Sequence, residues 1–251
     1  MLEYSAVSGY IPLKLVPSFR VRIPDGENVN SCQNFAYVVD CIARLMQNYL
    51  PGIGSKPLSI CYIPSYPNPI CYRSTQKIVL NADKISYSNQ VAYEFAHELC
   101  HYAIPHDVCQ SLRWIEESIC QLSSIFFLHQ IAHMWRITDP NFWVYVDNVA
   151  KSPYYLSFIQ YAQDDAQKYE FFDFTDQEVL AYLHNECEDR PKNRHLANRL
   201  FPLFMENPAL WQAVPVLCQV NQATLHESLD AWILQSPESL RPDLQKIRDW
   251  F

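Results

Sequence analysis

The sequence predicts an α+β protein: a mixed α/β N-terminal lobe over residues 1–105 that closes with a helix, then an all-α lobe over residues 106–251. To about residue 81 short apolar, β-branched runs broken by proline flank one helical stretch, whereas from Ser88 onward apolar residues recur at helical spacing throughout. At 49% hydrophobic and 14% aromatic, the 251 residues supply enough core for one large domain or two lobes.

The elements follow in order. Residues 10–23, YIPLKLVPSFRVRI, read as one or two strands, placed at a sheet edge because proline cannot donate to a ladder. Residues 31–50 carry apolar side chains at 35, 38, 39, 42, 45, 46 and 49, the spacing of a helix, with Ser31 as N-cap and Pro51 as stop. Leu58–Ile63 and Lys77–Asn81 read as strands separated by the proline-rich SYPNPICYRS. Helices are expected at about 88–103, 110–135, 153–169, 176–188, 194–205, 208–220, 224–235 and 237–250. No internal repeat or low-complexity linker interrupts the series. The two lobes are expected to form one compact unit with a cleft, a common place for a ligand.

Composition excludes several functions. With 19 basic and 27 acidic residues, net charge −8, the chain has no general attraction for phosphate backbones or anionic lipid, so neither nucleic acid nor membrane is an expected partner. The short basic stretch Arg190, Lys192, Arg194 and Arg199 reads as a solvated loop and helix start. Four glycines against 17 prolines leave no phosphate-binding loop; Gly52 and Gly54 in LPGIGSKP read as a turn. The opening MLEYSAVSGYIPLKLV lacks a basic segment followed by an apolar one, so no secretory signal is expected. No apolar run approaches the ~20 residues a membrane helix needs. Nine scattered cysteines without a CxxC pair read as free thiols in a reducing compartment, which makes the cytoplasm the expected location.

The residues that carry chemistry lie in SNQVAYEFAHELCHYAIPHD. On a helix, positions i and i+4 differ by about 40° of rotation and ~6 Å of rise, so His97 and His101 project from one face toward one metal ion. Glu98 lies about 100° round from His97, beside such an ion and placed to take a proton from its water. Val91, Phe95, Ala96, Leu99 and Ala103 supply apolar positions around the motif, and the strand KIVLN precedes it. Glu94, one turn before His97, is either a support for the ligands or a solvated charge. His106, His129 and His133 are expected to cap or pack.

AHELCHYAI, with a strand before it and WIEES after it, resembles the zincin metallopeptidases, in particular the gluzincin branch, over roughly residues 58–130. The group of phage- and stress-linked regulatory proteases with HExxH and a later Glu is similar as well. The gluzincin resemblance implies a zinc ion, a third ligand from a Glu on the next helix, and a strand edge, here Lys77–Asn81, that pairs with extended substrate. It aligns Glu117 with that ligand, although Ser118 stands where the family's WLxEG-like stretch has glycine.

Three carboxylates compete for the third position. Asp107 has the metzincin spacing, but Ile104 replaces the glycine that lets the chain turn, Pro105 follows, and no Met-turn is evident. On a helical wheel Ile115, Ile119, Leu122 and Phe126 form an apolar stripe; Glu117 lies opposite, in line with Gln121 and Ser124, on what reads as the wall of a wet cleft. Gln121, one turn on from Glu117, is placed to orient a ligand there. Glu116 lies to the side, near Cys120 and Phe127. Glu117 is the expected ligand, with Glu116 and Asp107 as alternatives. The expected function is zinc-dependent hydrolysis of peptide bonds, with His97, His101 and Glu117 on the metal, Glu98 as general base, and a peptide or protein as substrate. A donor to the developing oxyanion is also needed. His184, His195 and Tyr182 lie in a suitable region, and nothing in the sequence selects among them. Two rivals remain: a non-catalytic interaction protein on a zincin scaffold, and a structural zinc protein closed by a fourth ligand such as Cys109 or His106.

Overall fold

The computed structural model describes residues 9–50, 52–138, 143–146 and 149–251. Its secondary structure is mixed α/β. Five strands, β1 (Ile11–Pro12), β2 (Phe19–Arg22), β3 (Leu58–Tyr62), β4 (Ile70–Tyr72) and β5 (Lys77–Leu80), form one sheet in the order β1-β2-β3-β5-β4. β2, β3 and β5 run parallel, while β1 and β4 pair antiparallel at the two ends. Only β1 of the first two strands is at an edge. β2 lies inside, beyond reach of Pro12 and Pro17, with Phe19 and Val21 fully buried. β4 sits within the stretch expected to be a mere separator. At three residues, with Pro67 and Pro69 just before it, it leaves too little pattern to read. Its presence corrects a second expectation: β5 has neighbours on both sides, so Lys77–Leu80 is no edge, and the edge at this end is β4.

Cα packing divides the chain into two compact units. The first comprises Met1–Leu99 and Ser124–Asp165. Here α1 (Val29–Tyr49) buries Phe35, Val38, Val39, Ile42 and Met46, and the ring of Phe35 lies 5.7 Å from that of Tyr62 on β3. Its N-cap is Asn28, not Ser31: Asn28 accepts from the Asn30 and Ser31 amides at 2.9 and 3.4 Å, so the cap lies three residues before the expected one. The expected stop, Pro51, lies outside the described residues, and the helix closes at Leu50, whose amide bonds Met46. Gly54 (φ +85°) makes the turn toward β3; a Cβ there would meet Gln47 Nε2 at 2.9 Å. The first unit also holds an antiparallel hairpin, β6 (Trp143–Val146) and β7 (Val149–Pro153), and α4 (Tyr155–Ala166). The hairpin corrects the expectation of an all-α remainder. Its sequence, WVYV then VAKSP, favours strand through its aromatic and β-branched residues.

The second unit comprises Cys100–Ser123 and Ala166–Phe251. It holds α5 (Gln177–Asn185), α6 (Arg190–Glu206), α7 (Leu225–Gln235) and α8 (Arg241–Arg248). α6 starts earlier than its apolar pattern because Asp189 caps it and Pro191 occupies its first turn, so the basic stretch belongs to the helix; Lys192 bonds Glu170 and Asp189. Pro208–Gln219, expected as α-helix, is a 3₁₀ run containing Pro215, which lacks the amide an α-helix needs. Residues expected as one last helix split at Leu240, with Pro242 in the first turn of α8. Trp114, Trp211, Trp232 and Phe204 form the heart of this unit's core. Among the described residues no helix is long and apolar enough to cross a membrane, and none of the nine cysteines is in a disulfide.

Candidate metal centre

Two helices carry the candidate ligands. α2 (Ser88–Ala103) contains His97, Glu98 and His101; α3 (Arg113–Thr138), entered through a 3₁₀ turn at Gln110–Leu112, contains Glu116 and Glu117. α2 forms because no glycine or proline occurs between Ala82 and Ile104, and Val91, Phe95, Ala96 and Leu99 are fully buried along it. Pro105 ends it.

His97, His101 and Glu117 come together: one ligand atom from each lies within 4.8 Å of the others, and all three side chains are half-buried. Nε2 of His101 is 3.3 Å from Glu117 Oε1. Two donors held tetrahedrally at about 2.0–2.1 Å from one zinc lie about 3.3–3.4 Å apart, so this spacing fits. On the other side of the ring, His101 Nδ1 donates to Glu116 Oε1 at 2.8 Å. A carboxylate only accepts, which puts an imidazole proton on Nδ1 and leaves Nε2 as the atom that faces the second carboxylate. At 3.3 Å that pair is bridged by a metal ion or by a second imidazole proton. Glu116, weighed as a rival ligand, thus meets His101 from behind. Asp107 is exposed and belongs to no such group among the described residues. Glu98 follows His97 on α2 and is 6% exposed.

The polar stripe beyond Glu117 does not line a wet cleft. Gln121 and Ser124 are buried, and Ser124 donates to the Tyr93 carbonyl at 2.9 Å. Glu94 is buried too, accepting from the Asn81 amide at 3.1 Å and from Gln90 Nε2 at 3.0 Å. Burial pushes its carboxyl up to about 7, against hydrogen bonds from Asn81, Gln90 and Ala82 that lower it, and the Glu98 charge adds to the rise. Behind Glu116, Cys120 is hydrogen-bonded to Cys100; burial first, then that thiol and the charges of Glu116 and Glu117, push Cys120 well above the usual cysteine range.

Among the described residues the remaining candidates lie outside this group. The ring of His195 is stacked between Tyr169 and Phe174, with Phe171 and Phe172 at its edges, and burial pulls its pKa below the ordinary histidine value. Tyr182 is 46% exposed and its hydroxyl donates to Asp189. Gln110 binds the backbone carbonyl of His184. Cys109, a suggested closing ligand, sits 3.2 Å from Ser111 Oγ and 3.8 Å from Ser228 Oγ; His106 and His133 are exposed, and His129 is half-buried. Sequence reasoning missed the role of Glu116, whose only signal was its i, i+4 partnership with Cys120 on one side of α3.

Compared with protein-family models, curated proteins and solved structures, the chain matches none of them.

Proposed function

We propose that this chain is a zinc-dependent hydrolase of peptide bonds, of the gluzincin kind, working in the cytoplasm on a peptide or protein. The observation that carries the reading is the His101 imidazole, whose Nδ1 proton is committed to Glu116 while Nε2 faces Glu117 at 3.3 Å beside His97. When bound there, zinc supplies Lewis-acid polarisation of a carbonyl and lowers the pKa of water in its open position.

The chain's own residues do the rest. His97, His101 and Glu117 hold the ion, and Glu116 keeps the His101 ring turned and its proton on the far nitrogen. Glu98 takes the proton of the attacking water and returns it to the leaving amine as the C–N bond breaks. Because β4 covers β5, an extended peptide at this end of the sheet would pair with β4, whose Ile70 is 37% exposed, instead of with the Lys77–Asn81 edge that the resemblance suggested.

The test is Glu98→Gln, assayed against a peptide library. The amide keeps the shape but cannot act as base, so zinc binding is expected to persist while turnover falls by several orders of magnitude. Undiminished turnover would remove Glu98 from the mechanism. No turnover by the unaltered zinc-loaded chain on any peptide or protein substrate would favour an interaction protein on the same scaffold.

A further inference from the structure

A second set of metal-ligating atoms meets at the opposite nitrogen of the same histidine. His101, Glu116 and Cys120 each place a ligand atom within 4.8 Å of the other two, and Glu116 and Cys120 are buried. Glu116 and Cys120 are one helical turn apart on α3, so both project from one face, and His101 reaches them from the last turn of α2. Two donors at 2.1–2.3 Å from one ion lie no more than about 4.6 Å apart, and the present spacing needs only a small adjustment to reach that.

The donor set differs in kind from that of the first position. His97, His101 and Glu117 offer two imidazoles and a carboxylate, a borderline-to-hard set, whereas Cys120 adds a soft sulfur. Charge balances over the two positions together: the Cys120 thiol and His101 Nδ1 each release a proton to solvent, and the thiolate, the bridging imidazolate, Glu116 and Glu117 carry four negative charges against two divalent ions, which matters where Glu116 and Cys120 are 6% and 0% exposed. The C-terminal end of α2, which carries the negative pole of the helix, adds attraction for a cation beside His101.

We infer that His101, Glu116 and Cys120 form a second metal position, selective for thiophilic ions, that shares the His101 ring with the zinc position. The ion replaces the proton between His101 Nδ1 and Glu116, so the position fills only when metal exceeds the first equivalent. Filling it takes Glu116 away from its role as support of His101, so a thiophilic metal in excess acts on the first site through a shared ligand. The inference shares His101 with the peptidase reading but does not need peptide hydrolysis.

Cobalt(II) is the probe, titrated into the reduced, as-purified protein and followed by absorption. The first position contains no sulfur, so only the second gives a near-ultraviolet thiolate-to-cobalt band. The band is expected to grow beyond the first equivalent of bound metal, to persist in His97→Ala, and to vanish in Cys120→Ala. Cys120→Ser, which keeps a hydroxyl toward Cys100, is expected to lose it as well and covers a folding failure of the alanine variant. Glu116→Gln, which takes the charged ligand away, is expected to move the midpoint to cobalt concentrations higher by orders of magnitude. Absence of any thiolate band, a band that survives both Cys120 variants, or a midpoint unmoved by Glu116→Gln overturns the second position. Failure of the first position reads separately, as zinc content unaffected by His97→Ala.

Discussion

Glu116 Oε1 lies 2.8 Å from His101 Nδ1, on the side of the ring opposite the nitrogen that faces Glu117. Adjacent glutamates on α3 therefore reach one histidine from two sides, and their loss should have different consequences. Glu117→Ala removes one of three ligands and is expected to weaken zinc binding by orders of magnitude. Glu116→Ala removes only the support of a ligand, which costs ~10–100-fold. Asp107→Ala should leave affinity unchanged, since Asp107 is exposed and outside the group. Competition against a chelator of known affinity measures all three, with circular dichroism to confirm folding. Were Asp107→Ala the damaging change and Glu117→Ala neutral, a metzincin-like arrangement would replace the one proposed.

Purified without chelator, the protein is expected to carry about one zinc per chain, because ligands preorganised on two helices bind without a large ordering cost. His97→Ala and His101→Ala should each abolish it by elemental analysis. The competing explanation for the His101–Glu117 approach is a proton: an imidazolium donating to both glutamates. In that case zinc content would be near zero in the unaltered protein, and His97→Ala would change nothing.

The parts of this arrangement legible in the sequence are those set within one helix. The His97–His101 spacing needs only the geometry of α2, and the placement of Glu117 opposite the apolar stripe needs only the periodicity of α3. What Glu116 does depends on which element packs against α3, and periodicity carries no such information. The same limit explains Gln121 and Ser124. Their polarity suggested water, yet Ser124 spends its hydroxyl on the backbone carbonyl of Tyr93, an equally good partner that leaves no mark in the sequence. β4 was hidden by brevity and flanking prolines, and Pro208–Gln219 kept an apolar helical pattern while Pro215 prevented regular α bonding.

Asp40 illustrates a polar residue on an otherwise buried helix face. It is fully buried on α1, and its carboxylate accepts from the amides of Lys14, Leu15 and Val16 at 2.7–3.1 Å, building the turn between β1 and β2. Asp40→Ala strands three amides and is expected to cost on the order of 3 kcal/mol. Asp40→Asn, with one acceptor left and an amide group turned toward donors, should fall in between. Urea unfolding measures both. A loss in Asp40→Ala below about 1 kcal/mol would mean that the turn finds other acceptors.

Glu94 sets a pH dependence on the fold. Burial pushes its carboxyl from 4.5 up to about 7, so between these values the folded chain keeps a proton that the unfolded chain releases. Stability must then fall as pH rises through that window and level off above it, the reverse of a salt-bridged carboxylate. The full effect of the shift is roughly 3 kcal/mol. Glu94→Gln is neutral at every pH and keeps an oxygen for the Asn81 amide, so it lacks this dependence. Its melting temperature relative to the parent should therefore rise between about pH 5 and about pH 8, and the gain should be complete soon after neutrality. Other groups titrate in the same range but do so in both proteins, and the difference between the two curves isolates Glu94. A difference that is flat with pH, or one that falls as pH rises, would show that Glu94 is ionised throughout and that its bonds to Asn81, Ala82 and Gln90 outweigh its burial.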